Sequence, residues 1–431
     1  MARNLRPIFS LLLAVAFLLA GNGLQFTLLP LRGTAEGFDP IALGLIGSAY
    51  YVGFVSGCLL GPYAILRAGH IRAFAAMVAV AAAVTLAYAL VPSPAAWALF
   101  RLLTGFCLAG FYLVVESWLN DRADNASRGM VMSAYIIVNF GAITAGQMLV
   151  TLYPIEAAGS FMLSAILASL AIVPVALTRS AQPAPITIVS FRPRTLYEAA
   201  PVALVASFMI GLANGAFWSL APLSAAGSGL DVAQVASFMS IAVLAGAVGQ
   251  WPFGRLSDRV DRRLVLFGIL LGAAAAGLVL FVFANSVGSL MTFGFLFGAL
   301  ALPTYSIAAA HGFDKTPHGD MVATSATLLL VNGLGSVIGP LAASALMNPL
   351  GPRALFLFTA ISQALLAAYV FYRTRVQVSL APPEKTEFDV ATTSPVGAVV
   401  TTETLDPDDP LVAVPDDYVP ETKPEPGAAP V

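Results

Sequence analysis

The chain alternates long apolar runs with short polar breaks, and that rhythm predicts its elements. Twelve runs stand out, at 8–31, 40–66, 72–91, 95–119, 129–153, 158–178, 199–223, 232–254, 263–284, 287–311, 320–347 and 352–372. Each is about 20 residues or longer, enough for a helix to cross a hydrocarbon layer of ~30 Å. The runs are continuous, whereas barrel strands would alternate in polarity, so helices are expected. The run 40–66 is long enough to tilt or kink. "VPSPA" at 91–95, "ANSVG" at 284–288 and "NPLGP" at 348–352 read as tight turns between antiparallel helices.

Composition agrees with this pattern. Of 431 residues, 58% are hydrophobic and 10% charged, and the mean hydropathy is +0.84. A soluble domain carries roughly a quarter charged residues. The two cysteines, Cys58 and Cys107, fall inside apolar runs and read as small buried hydrophobes. The first run follows Arg3 and Arg6 without a small-residue cleavage site, so it is read as span 1 and not as a removed signal.

Charge sets the expected orientation. With the N-terminus in the cytoplasm, nearly all loop cations fall inside, among them Arg67, Arg72, Arg122, Arg128, Arg192, Arg194, Arg255, Arg259, Arg262 and Arg263. Arg32 and Arg353 fall outside. The positive-inside bias then favours an even number of spans with both termini cytoplasmic. Trp97 and Trp118, about 32 Å apart along span 4, are expected as anchors at the two interfaces. From Val376 the character changes: eleven acidic residues, two lysines and ten prolines predict a disordered acidic, Pro-rich cytoplasmic tail over 376–431.

The sequence also repeats. At an offset of 192 residues, Asn22-Gly23 falls on Asn214-Gly215, Pro30 on Pro222, Gly57 on Gly249, Arg67 on Arg259 and Gly141 on Gly333. Coincidence at Asn, Pro and Arg is harder to obtain by chance than at Leu or Ala. The expected domains are a six-helix bundle over 1–180, a cytoplasmic linker at 181–198 and a second bundle over 199–375. Duplicated membrane halves often enclose a site at their interface and expose it alternately to each side.

One break is unusually charged. "GRLSDRVDRR" (254–263) has six charged residues in ten. Its spacing, Gly254, Asp258, Arg259, Arg262 and Arg263, resembles the loop signature of the major facilitator superfamily, with Asp261 where that family usually has Gly. A weaker copy, "PYAILRAGHIR" (62–72), keeps Arg67 and Gly69 but has Leu66 at the acidic position. Physically, Asp258 is placed to cap the start of span 11 near 319–322, and the arginines to reach acids such as Asp314 or Asp320. Together with Arg67 and Arg128, these residues are candidates for a conformational switch at the inner face. The plainer alternative is that the arginines only set topology.

"RLLTGFCLAGFYLVVESWLNDR" (101–122) resembles the superfamily's R-x-x-x-G segment through Arg101 and Gly105. With "RGMVMSAY" (128–135) and "GQWPFGRLSD" (249–258), it is similar to the YcaD-like branch of bacterial major facilitator transporters. The resemblance covers roughly residues 5–372. It implies an all-α polytopic membrane fold of twelve helices in two six-helix bundles, and transport without a named cargo. In that fold spans 1, 4, 7 and 10 and parts of 2, 5, 8 and 11 line the cavity. The family's antiporter motif, a Gly-Pro pair in span 5, is missing here.

Within the spans only Arg101 and Glu116 are clearly charged. Such a group costs at least ~2.5–3.5 kcal/mol at mid-membrane, so each needs a partner or water. They lie ~60° apart around one helix, with Tyr112 between them. Arg101, Glu116 and the span-end His311 are candidates for proton coupling; a structural ion pair of Glu116 with Arg67 or Arg128, and an interfacial role for His311, are the alternatives. Asn22, Gln25, Tyr112, Tyr135, Asn139, Gln147, Asn214, Trp218 and Tyr305 are candidates to line a substrate cavity, or to bond packed helices together.

These features point to a secondary transporter in a bacterial inner membrane, moving a small molecule by alternating access, with H+ as the candidate coupling ion. A non-transporting sensor on the same fold is the rival. A membrane enzyme would need a catalytic cluster, which one Glu, one Arg and an interfacial His do not make. No cofactor, metal pair or nucleic-acid partner is indicated, the lipid bilayer is the surrounding partner, and a monomer is expected. No phosphate-binding Gly-rich loop with Lys supports direct ATP use.

Overall fold

The computed structural model describes residues 8–122, 128–177, 191–317 and 320–376. Most of the expected linker, the tail beyond 376, the side chain of Arg128 and Gly319 lie outside the described residues. Among the described residues twelve helices are long and apolar enough to cross a membrane. They are α1 (Phe9–Ala35), α2 (Pro40–Ala68), α3 (His70–Leu90), α4 (Pro94–Arg122), α5 (Arg128–Met148), α6 (Gly159–Ala176), α7 (Pro201–Gly227), α8 (Val232–Arg259), α9 (Arg262–Val282), α10 (Val287–Asp314), α11 (Met321–Leu350) and α12 (Ala354–Val376). A short helix, Pro193–Ala199, leads into α7.

The helix starts follow from local chemistry. Asp39 caps α2 by accepting from the Ala42 amide at 2.7 Å, with Pro40 as the first helical residue. Asp231, 192 residues later, caps α8 in a capping box with Gln234. Gly37 and Gly229, also 192 apart, both take positive φ just before these caps.

Two expectations are corrected here. The charged stretch at 254–263 is not a loop: α8 runs on to Arg259, and only Val260 and Asp261 make the turn. Charge excludes residues from hydrocarbon, not from a helix. Trp97 and Trp118 are not interfacial anchors, since they are 0% and 1% exposed. Trp97 donates to the Tyr88 carbonyl at 3.2 Å and packs edge-on against Tyr88 and Phe38. Rings of that size fill the helix interfaces here and not the lipid boundary. In addition, α10 breaks after Ala301 where Pro303 interrupts its ladder, whereas Pro340 is accommodated within a continuous α11.

The helices form two six-helix bundles. Within the first, α1 packs on α5 and α6, α4 on α2 and α3, and α3 on α6. The second repeats each pairing six helices later: α7 on α11 and α12, α10 on α8 and α9, and α9 on α12. Between the bundles the main pairs are α2 with α11 and α5 with α8, which exchange under the same relation. Small residues bring the backbones together at matching places. A Cβ on Gly105 would collide with the Tyr50 carbonyl between α4 and α2, and one on Gly298 would collide with the Ala242 carbonyl between α10 and α8. Ala242 is 192 residues after Tyr50, but Gly298 is 193 after Gly105. The turn before α10 (283–286) is one residue longer than the turn before α4 (91–93), which shifts the repeat from that point on. Gly146 against Ala20 and Gly339 against Leu212 show the same pair of offsets. By this register Gly141 corresponds to Leu334 and not to Gly333.

Candidate functional site: a cavity between the two bundles

A cavity of about 290 Å³ lies between the bundles. Its walls come from α1, α2, α4 and α5 on one side and α7, α8, α10 and α11 on the other. The corrected register pairs its lining across the two halves: Asn22 with Asn214, Phe26 with Trp218, Tyr112 with Tyr305, Asn139 with Asn332, Ile136 with Leu329 and Ile143 with Ser336. The cavity is thus built from a repeated set of amides and aromatic rings, and among the described residues no charged side chain is in its lining. The asymmetric part is α2, which adds Tyr50, Tyr51 and Phe54, against Gln250 from α8.

Beyond the cavity the bundles meet at the end bearing the 36–39 and 228–231 turns. Gly44 on α2 lies so near α11 that a Cβ there would overlap the Ser344 hydroxyl. Gly47 faces Ser219 and Pro340 in the same way. Ser240 on α8 donates to the Thr144 carbonyl and to Gln147 Oε1 on the α5 side, each at 3.4 Å. Phe26 and Trp218 close the floor with ring centroids 5.7 Å apart.

Asn22, Tyr112, Asn139, Asn214, Trp218 and Tyr305 all line the cavity. Gln25, Tyr135 and Gln147 do not. Gln25 turns into its own bundle and donates to Thr85 and Ser164, at 3.0 Å each. Gln147 is buried in the contact with Ser240. Tyr135 stands behind the wall and donates to Glu116 Oε1 at 2.8 Å. Helices buried on more than one face carry polar groups toward neighbours as well as toward the cavity, so polarity alone does not select the face. The sequence pattern does not single out the aromatic cluster "YYVGF" (50–54), Gln250, Asn332 or Ser336. Asn332 and Ser336 are one helical turn apart, and the one-residue shift of the repeat is the signal that finds them.

The two intramembrane charges sit apart, each close behind this wall. Glu116 is 0% exposed and held by Tyr135; Tyr112 and Tyr135 share its surroundings with Asn139. Arg101 is 3% exposed, its guanidinium over the rings of Phe26 at 4.9 Å and Tyr50 at 4.7 Å. The polar strip along α4 therefore runs from Arg101 by aromatic hydroxyls to Glu116.

The charged residues at the other end form a separate cluster. Arg262, with 0% side-chain exposure, pairs with Asp314 through Nε at 2.7 Å and Nη2 at 3.3 Å, and its Nη1 reaches Asp258 at 3.2 Å and Ser257 at 3.0 Å. This bidentate geometry is the strong form of the Arg–carboxylate contact. Asp261 caps α9 by accepting from the Arg263 amide at 2.9 Å and pairs with the Arg263 guanidinium at 2.8 Å. Burial acts to raise the Asp261 carboxyl, but its bonds to Arg263 and the nearby His311 together hold it below the usual carboxylate range. His311 is buried beside this group. Gly254 is buried, Arg67 and Arg259 are exposed, and Asp320 pairs with Arg192 at 3.4 Å. The described ion pairs of Arg262 and Arg263 lie within the second bundle, so in this conformation they brace α8, α9 and α10 together. Among the described residues no group of three or more His, Cys, Asp or Glu is placed to hold a metal ion.

Known proteins agree with this architecture. The family model "Major Facilitator Superfamily" matches residues 203–412. Over 366 residues the chain is 28% identical to the uncharacterized MFS-type transporter YcaD of Escherichia coli O7:K1, covering 84% of this chain and 94% of that protein. Among solved structures, a D323A mutant of the nucleoside transporter NupG superposes with a TM-score of 0.72 at 14% identity, covering 85% of this chain and 99% of that one. A bacterial homologue of the human lysosomal transporter Spinster, inward-facing and occupied, gives 0.69 at 16% identity, covering 88% and 97%. The chain is thus similar to the major facilitator superfamily of membrane transporters, in sequence to its family model over the second half and to YcaD over most of its length, and in fold to solved transporters of that kind.

Proposed function

We propose that this chain is a secondary transporter, not an enzyme, that carries a small organic molecule through the cavity between its bundles by alternating access. The two domains, 1–180 and 199–375, are the moving units and 181–198 connects them. The observation that carries the reading is the paired lining: the same amides and rings face one another across the interface, as expected of a site between two repeats that rock. Contacts at the 36–39 end support a state closed on that side. With both termini in the cytoplasm, as the loop cations favour, this is an inward-facing state in a bacterial inner membrane. In the opposite state Asp258 and its neighbours at the inner rim are positioned to meet the start of α11. Arg67, Arg128 and Arg259 belong to the same switch.

Glu116 is the proposed proton carrier. It is the one carboxylate deep in the described spans near the cavity, bonded to Tyr135 and close behind the wall residue Tyr112. The test uses the full chain in sealed liposomes with an internal pH dye, supplied in turn with nucleosides, neutral sugars and aromatic carboxylates. One class should enter and carry protons with it. Glu116→Gln should abolish the proton movement while leaving solute exchange at equal pH intact. Proton-coupled entry undiminished in Glu116→Gln would remove Glu116 as carrier, and solute bound without any flux would favour a sensor.

A further inference from the structure

Arg101 is the least satisfied charge in the described residues. Its guanidinium carries five donors, yet it makes no hydrogen bond and no ion pair there, and Nη1 is fully enclosed without a protein partner. Its contacts are the faces of Phe26 and Tyr50. Cation–π contact offsets part of the desolvation but supplies no counter-charge. The other buried arginines are paired: Arg262 has two carboxylates and a hydroxyl around it, and Arg263 has Asp261.

Among the described residues no carboxylate is at hand for Arg101. Glu116 is fifteen residues along the same helix, about 22 Å away by helical rise, and bonded to Tyr135. The repeat does not supply one either: the position matching Arg101 in α10 is Gly294. The neighbouring orphan polar atoms, Asn22 Oδ1 and Gln25 Oε1, are neutral. Meanwhile Phe26, Tyr50 and Asn22 are themselves cavity wall, so the guanidinium stands one ring's thickness from the site.

We infer that Arg101 is the anchor for an anionic group of the cargo, a carboxylate, whose organic body lies against the aromatic and amide wall. The inference rests on the transport reading above and narrows its substrate class. Arginine suits this role because its planar fork matches a carboxylate with two parallel bonds. The rings of Phe26 and Tyr50 would part enough to admit the anionic end, and the uncharged remainder of the cavity would take the body. An uncharged cargo of the same shape would leave Arg101 as it stands.

The test compares indole-3-propionate, benzoate and acetate with their primary amides, using the purified full chain. Binding is read by calorimetry, stability by thermal unfolding and flux by counterflow in liposomes. At least one carboxylate is expected to bind tenfold or more tightly than its amide. Arg101→Gln should erase that difference, weakening the carboxylate tenfold or more and the amide far less, and Arg101→Lys should keep part of it. Without added solute, Arg101→Gln should unfold at the same or a higher temperature, because it removes an unpaired buried charge; a purely structural arginine would give the reverse. Equal binding of carboxylate and amide by the wild type, unchanged carboxylate binding by Arg101→Gln, or no carboxylate binding at all would overturn the inference. Counterflow of an amide with no carboxylate preference would overturn it while leaving the transport reading intact.

Discussion

The two bundles share one frame and divide the charge between them. In the first, α4 carries Arg101 and Glu116 deep in the membrane; at the matching places α10 has Gly294 and Ala309. At the rim the order reverses. The second bundle buries Arg262 between Asp258 and Asp314, whereas the first has His70 and Leu66 at the positions of Arg262 and Asp258. Of the three positions Asp258, Arg262 and Asp314, the last keeps its type in the first bundle, as Asp121. Duplication therefore preserved backbone crossings and cavity lining while the two halves took up different electrostatic work: one holds charges beside the cavity, the other a brace at the mouth. Repeat symmetry is thus a guide to geometry and a poor guide to chemistry.

The strongest challenge to that division is at Arg262. Replacing it by Met strands Asp314, whose side chain is 2% exposed. Losing one member of a buried pair costs about 3–5 kcal/mol, so Arg262→Met should lose most of its folded yield and thermal stability in detergent. Adding Asp314→Asn should recover much of the loss. His70→Gln at the matching site is expected to do far less, because glutamine keeps a polar group that can meet Ser117, which lies 3.4 Å from the His70 ring. Equal damage at His70 and Arg262 would show that the first bundle has a brace of similar strength.

A second, smaller effect probes the shared frame. Gly105→Ala places a methyl group on the Tyr50 carbonyl, and Gly298→Ala does the same at Ala242. Overpacking of this kind costs typically about 1–3 kcal/mol. Both variants should lower the unfolding temperature by similar amounts. Gly105→Ala should in addition disturb solute binding, since Tyr50 is cavity wall and a ring contact of Arg101. A stability loss confined to one of the pair would mean that the two crossings are not equivalent.

Much of this frame is legible in the sequence, because hydrocarbon thickness and loop charge are strong constraints. The twelve runs fall within a few residues of the helices, and the repeat by itself points to Asn22 and Asn214 as cavity residues. The losses have physical reasons. One extra residue in the 283–286 turn shifts the later register, which hides Asn139–Asn332 and Tyr112–Tyr305 from a fixed offset. Gln25 and Gln147 share polarity with true cavity residues but bond inside the protein. Tyr50, Tyr51 and Phe54 read as ordinary apolar content, since an aromatic ring serves packing and binding alike. The spacing of charges suggests Asp314 as a partner for the rim arginines, but the confinement of that pair to one bundle depends on tertiary packing.

The mildest test returns to the one position where the loop signature departs from the family pattern. Gly69 in the first copy takes φ of 79°, and its counterpart Asp261 takes φ of −53°. Aspartate there exchanges backbone freedom for a capped helix and an ion pair with Arg263. Its carboxyl is held below the ordinary range, so the folded state binds its proton less readily than the unfolded chain. The resulting stability is complete above the ordinary carboxylate range, near pH ~4, and is lost as the pH falls through the lower folded value. Asp261→Asn should therefore unfold slightly earlier than wild type at neutral pH, with the gap narrowing only below about pH 4. A gap that stayed constant a full unit further into acid would assign the effect to helix capping, which Asn can supply in part, and would leave the ion pair with Arg263 contributing nothing measurable.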